Sequence, residues 1–180
     1  MKKNLFGITL AGIVFVTLAG AFLHFVYELS GNTFIAGLFC SVNESTWEHL
    51  KLLFFPYLLY AVVEFFLLKR EGIFFSKAVG ACAGMFFIVA FFYTYTGVIG
   101  RNFAPLDVAS FTAGVFVAFF TDYKMIKTDR FKAFSLNLAG ILYFIIMAVL
   151  FFVFTVYPPD IPLFEPPENA ALTVEQLGWY

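Results

Sequence analysis

Two histidines and several carboxylates lie at the junction between the first two apolar stretches of the chain. The first stretch ends HFVYELSGN, where His24 and Glu28 are four residues apart and therefore share a helix face. The second begins VNESTWEHLK, which contains Glu48 and His49. If the two stretches are neighbouring antiparallel helices, these four side chains meet in one pocket as candidate metal ligands. Imidazoles and carboxylates suit zinc or another divalent metal, and they equally suit a proton relay or a cationic solute.

Polar side chains around the rim of this pocket are candidates for binding a small molecule or ion. One of them, Arg101, lies in the later loop RNFAPLD, where it is expected to pair with Asp107 or to neutralise the acidic cluster. A polar ligand at the membrane face would be held by several such groups. The binding candidates are Tyr27, Glu28, Asn32, Asn43, Glu44 and Arg101.

The same residues also have a purely structural interpretation. The segment STWE, which begins at Ser45, matches a capping box that would start the second helix and use Glu48 for that purpose. His24 and Glu28 can hydrogen-bond each other as neighbours on one helix. No H-E-x-x-H or comparable spacing is present in the sequence, so spacing alone does not identify a metal site.

Glu64 is a single carboxylate well inside the second apolar stretch. An ionised carboxylate at that depth is costly unless it is paired or protonated. It is expected either to hydrogen-bond a neighbouring helix or to take part in a proton or cation step.

The composition assigns the chain to the membrane class. Hydrophobic residues make up 62% of the 180 residues and charged residues 13%, whereas soluble domains carry about 25% charged residues. The 28 phenylalanines would form large apolar patches on the surface of a soluble protein of this size. The net charge of −1 provides no basic surface, so no nucleic-acid partner is expected.

Five apolar stretches approach the length of about 20 residues that crosses a bilayer. The run from Thr33 to Val42 is too short to cross and is predicted to be re-entrant, interfacial or a plain loop. The predicted fold is an all-α bundle of about five transmembrane helices over residues 1–157, followed by a proline-rich tail over residues 158–180. The stretches are Leu5–Leu29, Leu50–Leu68, Lys77–Ile99, Leu106–Phe120 and Phe134–Tyr157.

The basic residues predict the orientation of the bundle. Nine of the eleven fall at the amino terminus or in the second and fourth gaps, and cytoplasmic loops are enriched in Lys and Arg. The amino terminus is therefore expected in the cytoplasm, and the carboxyl terminus and the pocket outside. The start of the chain also resembles a secretory signal peptide, whose removal would leave four spans. The nine residues are Lys2, Lys3, Lys69, Arg70, Lys77, Lys124, Lys127, Arg130 and Lys132.

Small residues recur at four-residue spacing and predict close helix packing. They are expected to join helices of one chain, with a homo-oligomer interface as the alternative. Cys40 and Cys82 are expected at different depths and therefore as free thiols. The small-residue stripes are Gly7 with Ala11, Gly80 with Gly84, and Ser110 with Gly114 and Ala118.

Several segments together carry a family resemblance. HFVYELSGN paired with VNESTWEHLK, the phenylalanine-rich body and the tail PPDIPLF resemble a family of small bacterial multi-pass membrane proteins known as a domain of unknown function. The resemblance covers nearly the whole chain, and VNESTWEHLK is its most specific part. It implies a protein of the inner (plasma) membrane, and it supplies no activity and no catalytic residues.

The sequence leaves three functions open. The first is a polytopic membrane protein that binds or transports a small solute or ion through an outward-facing ionisable pocket. The second is an intramembrane hydrolase, in which zinc or another divalent metal activates water against a lipid-linked or membrane-embedded substrate. The third is a non-catalytic structural or partner protein. The expected partners are the lipid bilayer and a small-molecule or ion ligand.

Overall fold

The protein is a helical bundle in its computed structural model, which describes residues 4–128, 131 and 133–167. No strand occurs in these ranges, and five of their helices are long and apolar enough to cross a bilayer. The predicted fold class, an all-α multi-pass membrane bundle, is therefore confirmed. The helices are α1 (Leu5–Leu29), α2 (Phe34–Phe39), α3 (Thr46–Leu68), α4 (Ile73–Ile99), α5 (Ala104–Thr128) and α6 (Phe134–Val156).

Four of the basic residues that predict the orientation lie outside the described residues, as does the end of the tail, residues 168–180. The two ends of the bundle are therefore named here by their side chains. The histidine end carries His24 and His49, and the lysine end carries Lys77. The basic residues outside the described ranges are Lys2, Lys3, Arg130 and Lys132.

Two helices are longer than the apolar stretches that predict them. α4 begins at Ile73 rather than Lys77, and α5 continues to Thr128 rather than ending at Phe120. Hydropathy ends the fourth stretch before Asp122, and the orientation prediction counts Lys77 among the loop charges. Both residues are nevertheless helical and buried, because they pair with each other inside the bundle.

α3 begins at Thr46, earlier than the predicted Leu50. The hydroxyl of Ser45 accepts a hydrogen bond of 3.3 Å from the backbone N–H of Glu48 and so caps the helix. The other half of the predicted capping box is absent, because the N–H of Ser45 donates to the Asn43 side chain instead, at 2.9 Å.

The segment between α1 and α3 contains a short helix, so it is not the plain loop that was one of the predictions. α2 has six residues, which is too few to span a bilayer. The centre of the Phe39 ring lies 5.0 Å from that of Phe55 on α3 and 5.3 Å from that of Phe152 on α6. Phe34 and Ile35 are exposed on the opposite side.

α4 and α5 pack against each other along their small-residue stripes. A Cβ atom added at Gly84 would lie 2.6 Å from the carbonyl oxygen of Gly114 and 2.9 Å from the Cβ of Ala118. The two backbones therefore approach as closely as small residues permit. This contact confirms the predicted packing within one chain for these two helices.

The stripe predicted on α1 is not the one that packs. A Cβ at Gly7 would meet the side chain of Asn4, which caps the same helix. The close contacts of α1 are made further along, where a Cβ at Gly20 would lie 2.6 Å from the carbonyl oxygen of Leu52 on α3. α1 therefore rests on α3 near the histidine end.

The described part of the tail packs on the start of α3. The backbone N–H of Trp47 donates a hydrogen bond of 2.9 Å to the carbonyl oxygen of Leu163. The Trp47 ring lies 4.9 Å from the Phe164 ring and 4.7 Å from the Phe151 ring of α6. The tail thus joins α3 to α6 at the histidine end.

Both cysteines are free, as predicted. Cys82 is exposed on α4, and Cys40 is buried at the end of α2. Burial raises the pKa of the Cys40 thiol, and the nearby charge of Lys51 opposes this change only in part. The thiol of Cys40 is therefore protonated near neutral pH.

We expect Gly84→Ala to destabilise the bundle by about 1–3 kcal/mol, because the new methyl group overpacks the contact between α4 and α5. Gly97→Ala is the matched control, since Gly97 is on the same helix and has no atom within 4 Å of its added Cβ. The control should be neutral or slightly stabilising. Thermal unfolding in detergent measures both, and equal effects of the two substitutions would contradict the packing described here.

Candidate functional site

Three side chains from separate parts of the chain meet at the histidine end. α1 supplies His24, α3 supplies His49, and the turn before α3 supplies Glu44. The Nε2 atom of His24 lies 3.8 Å from one oxygen of Glu44, and Nε2 of His49 lies 3.5 Å from the other. One ligand atom from each of these three residues lies within 4.8 Å of the other two. We call this group the histidine cluster.

His49 is held in an orientation that leaves one ring nitrogen free to bind. Its Nδ1 lies 2.9 Å from the carbonyl oxygen of Ser45. Because a carbonyl only accepts hydrogen bonds, Nδ1 carries a proton, and Nε2 is the ring nitrogen that faces Glu44. A carbonyl behind the imidazole is a common way in which proteins orient a metal-binding histidine.

Glu48, a predicted metal ligand, lies outside the histidine cluster and is buried at 3% exposure. Its carboxylate lies 2.5 Å from Nζ of Lys51 and accepts a hydrogen bond of 3.0 Å from the N–H of Val42. One residue along a helix is a turn of about 100°, so Glu48 points away from the side of α3 that carries His49. Lys51 also donates to the carbonyl oxygen of Gly37, at 2.8 Å.

Glu28, the other predicted acidic ligand, is exposed in the last turn of α1 and does not belong to the histidine cluster. It lies one turn closer to the end of α1 than His24, beyond the level at which His49 faces α1. The structure thus brings the two predicted histidines together with Glu44, which the sequence placed at the rim.

The remaining binding candidates lie in the turns around the histidine cluster. None of them lines the cavity that adjoins this cluster. Tyr27 and Asn32 form the turn that ends α1, where the N–H of Asn32 donates to the carbonyl oxygen of Tyr27 at 3.0 Å. Asn43 supports the turn before α3. Arg101 is exposed and makes no ion pair within the described part of the chain.

A cavity of about 270 Å³ extends from the histidine cluster into the bundle between α1, α3, α4 and α5. All three members of the cluster line it. Most of the remaining wall is apolar and comes from side chains on all four helices. These are Ala21, Phe25, Leu52, Ile88, Phe92, Ala104, Val108 and Phe111.

A carboxylate that the sequence assigned to a loop pair lines the same cavity. Asp107 lies in the first turn of α5 and accepts a hydrogen bond from the hydroxyl of Tyr95. The same hydroxyl lies 2.8 Å from the side-chain oxygen of Asn102. Asp107 therefore has Tyr95 rather than Arg101 as its neighbour. Ser110, one turn further along α5, also reaches the cavity.

Two apolar side chains that line the cavity, one on α1 and one on α5, are also exposed on the surface of the bundle. Phe25 on α1 and Val108 on α5 both line it, and their side chains are 57% and 66% exposed. In a membrane protein, exposed apolar side chains on spanning helices face lipid. The cavity therefore has a polar end at the histidine cluster and an apolar side towards the bilayer.

A second group of ionisable side chains lies at the lysine end, and we call it the lysine cluster. Nζ of Lys77 lies 2.5 Å from Glu64 on α3 and 2.6 Å from Asp122 on α5, and all three side chains are at most 1% exposed. The hydroxyl of Tyr57 donates a hydrogen bond to Asp122. Nζ also lies 4.3 Å from the centre of the Phe119 ring. Glu64 is thus paired with a neighbouring helix, which was one of its two expected states.

The sequence contains a signal for this cluster that hydropathy hides. Asp122 is four residues after Ala118 and therefore continues the stripe of small residues on α5. Lys77 lies three residues before Gly80 and continues the stripe on α4 in the same way. A charge on the packed face of a helix is buried when the helix packs. The prediction counted Lys77 among the loop charges and ended the fourth stretch at Phe120, so it missed this cluster.

Residues 2–171 match the profile of a family of unknown function, DUF6512, and the chain therefore belongs to this family. No curated protein and no solved structure shows significant similarity to the chain.

We expect Lys51→Met to destabilise the protein by about 3–5 kcal/mol, because it leaves the buried carboxylate of Glu48 without its ammonium partner. Combining it with Glu48→Gln should restore much of the loss, since no buried charge then remains unpaired. A double-mutant cycle of thermal or denaturant unfolding measures the coupling. Lys127→Met, at an exposed position, is the control. If the effects of Lys51→Met and Glu48→Gln were additive, they would contradict a buried ion pair.

Proposed function

We propose that this member of the DUF6512 family binds a divalent metal ion of the zinc type with His24, Glu44 and His49. The observation that carries the proposal is the convergence of two imidazole nitrogens and a carboxylate oxygen within 4.8 Å. Tetrahedral zinc ligands at about 2.1 Å from the metal lie about 3.4 Å from one another. The Nε2 atoms of His24 and His49 lie 3.8 and 3.5 Å from the two different oxygens of Glu44, and these separations are close to that value.

The surroundings of the cluster support an exchangeable ion rather than a sealed structural one. Glu44 is 65% exposed, so an ion can reach it from water. Because all three ligands line the cavity, the fourth position of a tetrahedral ion would be open to it. The orientation predicted from the basic residues would place this site on the outer face of a plasma membrane.

The test of metal binding is titration of the purified protein with Zn²⁺, and with Co²⁺ as a spectroscopic probe. One ion per chain is expected. His49→Ala should weaken binding at least about 100-fold, since even the loss of a residue that only supports a ligand costs about 10–100-fold. Glu28→Ala is the matched control, because its carboxylate lies outside the cluster, and it should bind like the unmodified protein. Equal loss in both variants, or binding unchanged in His49→Ala, would reject the site.

A second candidate function, metal-dependent hydrolysis, is favoured by the position of Asp107. This carboxylate lines the cavity into which the fourth position of the metal would open. A zinc-bound water has a pKa near 7, and a carboxylate beside it can accept its proton. An amphiphilic ester or phosphoester could enter from the bilayer between α1 and α5 with its apolar part against Phe25 and Val108.

We expect Asp107→Asn to abolish turnover of such a substrate while leaving the affinity for metal unchanged within about twofold, because Asp107 is not a ligand. The measurement is hydrolysis of fluorogenic lipid esters and phosphoesters in mixed micelles by the zinc-loaded protein. If the protein binds one zinc ion but hydrolyses none of these substrates, the metal-binding proposal stands. The hydrolase proposal is then rejected for these substrates.

A further inference from the structure

The lysine cluster carries more negative than positive charge. Lys77 contributes one positive charge, and Glu64 and Asp122 together contribute two negative charges when all three groups are ionised. The three side chains are at most 1% exposed, so water does not neutralise the excess. An uncompensated charge in the interior of a membrane protein is strongly disfavoured.

No other cation within the described residues contacts the cluster. The ionisable groups that face it are Tyr57 and Tyr60 from α3 and, further away, the hydroxyl of Tyr143 from α6. All three groups are neutral at physiological pH. α1, which packs beside them, carries its ionisable residues only at the histidine end. The excess charge must therefore be removed within the cluster itself.

Two carboxylate positions have room for a proton. Oε1 of Glu64 and Oδ1 of Asp122 are buried and make no hydrogen bond in the described structure. The other oxygen of each carboxyl group contacts Nζ of Lys77. That oxygen of Asp122 also accepts a hydrogen bond from the hydroxyl of Tyr57. A proton can therefore be held on one of these two oxygens without displacing an existing hydrogen bond.

We propose that the lysine cluster is a proton-binding site that holds one proton, shared between Glu64 and Asp122, in its resting state. The proton makes the cluster electrically neutral and belongs to the pair of carboxyl groups rather than to either one. Release of this proton would leave a net negative charge between α3, α4 and α5. Proton binding at this site is thereby linked to the contact that holds these three helices together.

The ring of Phe119 and the hydroxyl of Tyr57 favour a proton over a metal cation. Nζ of Lys77 occupies the space between the two carboxylates, and it lies 4.3 Å from the centre of the Phe119 ring and 4.7 Å from that of Tyr57. A sodium ion would need several oxygen ligands around one centre, and the ammonium group already occupies that centre.

Infrared spectroscopy of the unmodified protein in detergent tests this proposal directly, because only a protonated carboxyl group gives the carbonyl stretch of an acid. We expect one such band at neutral pH, shifted in heavy water and unchanged when sodium replaces potassium in the buffer. Absence of the band, or its loss on addition of sodium at constant pH, would overturn the proposal.

The assignment of the band rests on three variants. Asp122→Asn and Glu64→Gln should each remove it, because the remaining carboxylate then forms a neutral pair with Lys77. Glu71→Gln, at an exposed position, should leave it unchanged. A band that persists in both cluster variants would place the proton elsewhere and contradict the proposal. If either variant fails to fold, the presence of the band in the unmodified protein, its shift in heavy water and its response to sodium still decide.

Discussion

The structure depends on the pairing of polar groups where no water can reach them. A bilayer offers no hydrogen-bond donors or acceptors to a buried side chain, so each charge on a spanning helix needs a protein partner. α3 shows this constraint most clearly. It carries Lys51 and Glu64, and each of them is paired with an opposite charge at 2.5 Å. The position of α4 beside α3 follows from the Glu64–Lys77 pair as much as from apolar packing, because a misplaced helix would leave a charge in lipid.

The ionisable groups differ in how completely they are satisfied, and this difference separates structural from functional roles. Lys51 has Glu48, a carbonyl of α2 and the hydroxyl of Thr155 as partners, so all three donors of its ammonium group are used. The lysine cluster keeps carboxylate oxygens without a donor. The histidine cluster is partly open to water and lines a cavity. Chemistry is expected at the incompletely satisfied groups, where an ion or proton can still be gained.

Hydropathy predicts the spanning helices because a long apolar run has few alternatives to crossing the membrane. Helix ends are predicted less well when a charge lies on a packed face, as Lys77 and Asp122 do. For the site, the sequence brings His24 and His49 together because they lie on either side of one connection. It does not select Glu44 over Glu48, since that choice depends on the direction in which the first turn of α3 faces. The lysine cluster can be predicted only if it is known which helices pack against each other. The periodicity of a single helix does not contain that information.

The hydrogen bond between Trp47 and Leu163 has a consequence for the order in which the protein is made. The N–H of Trp47 belongs to the first turn of α3, where backbone donors lack partners within the helix. Its acceptor is in a segment that the ribosome produces only after the five spanning helices of the described residues. α3 can therefore enter the membrane early in synthesis, but its first turn is completed only when translation has passed α6. Until then, the N–H of Trp47, two residues before His49, lacks this acceptor.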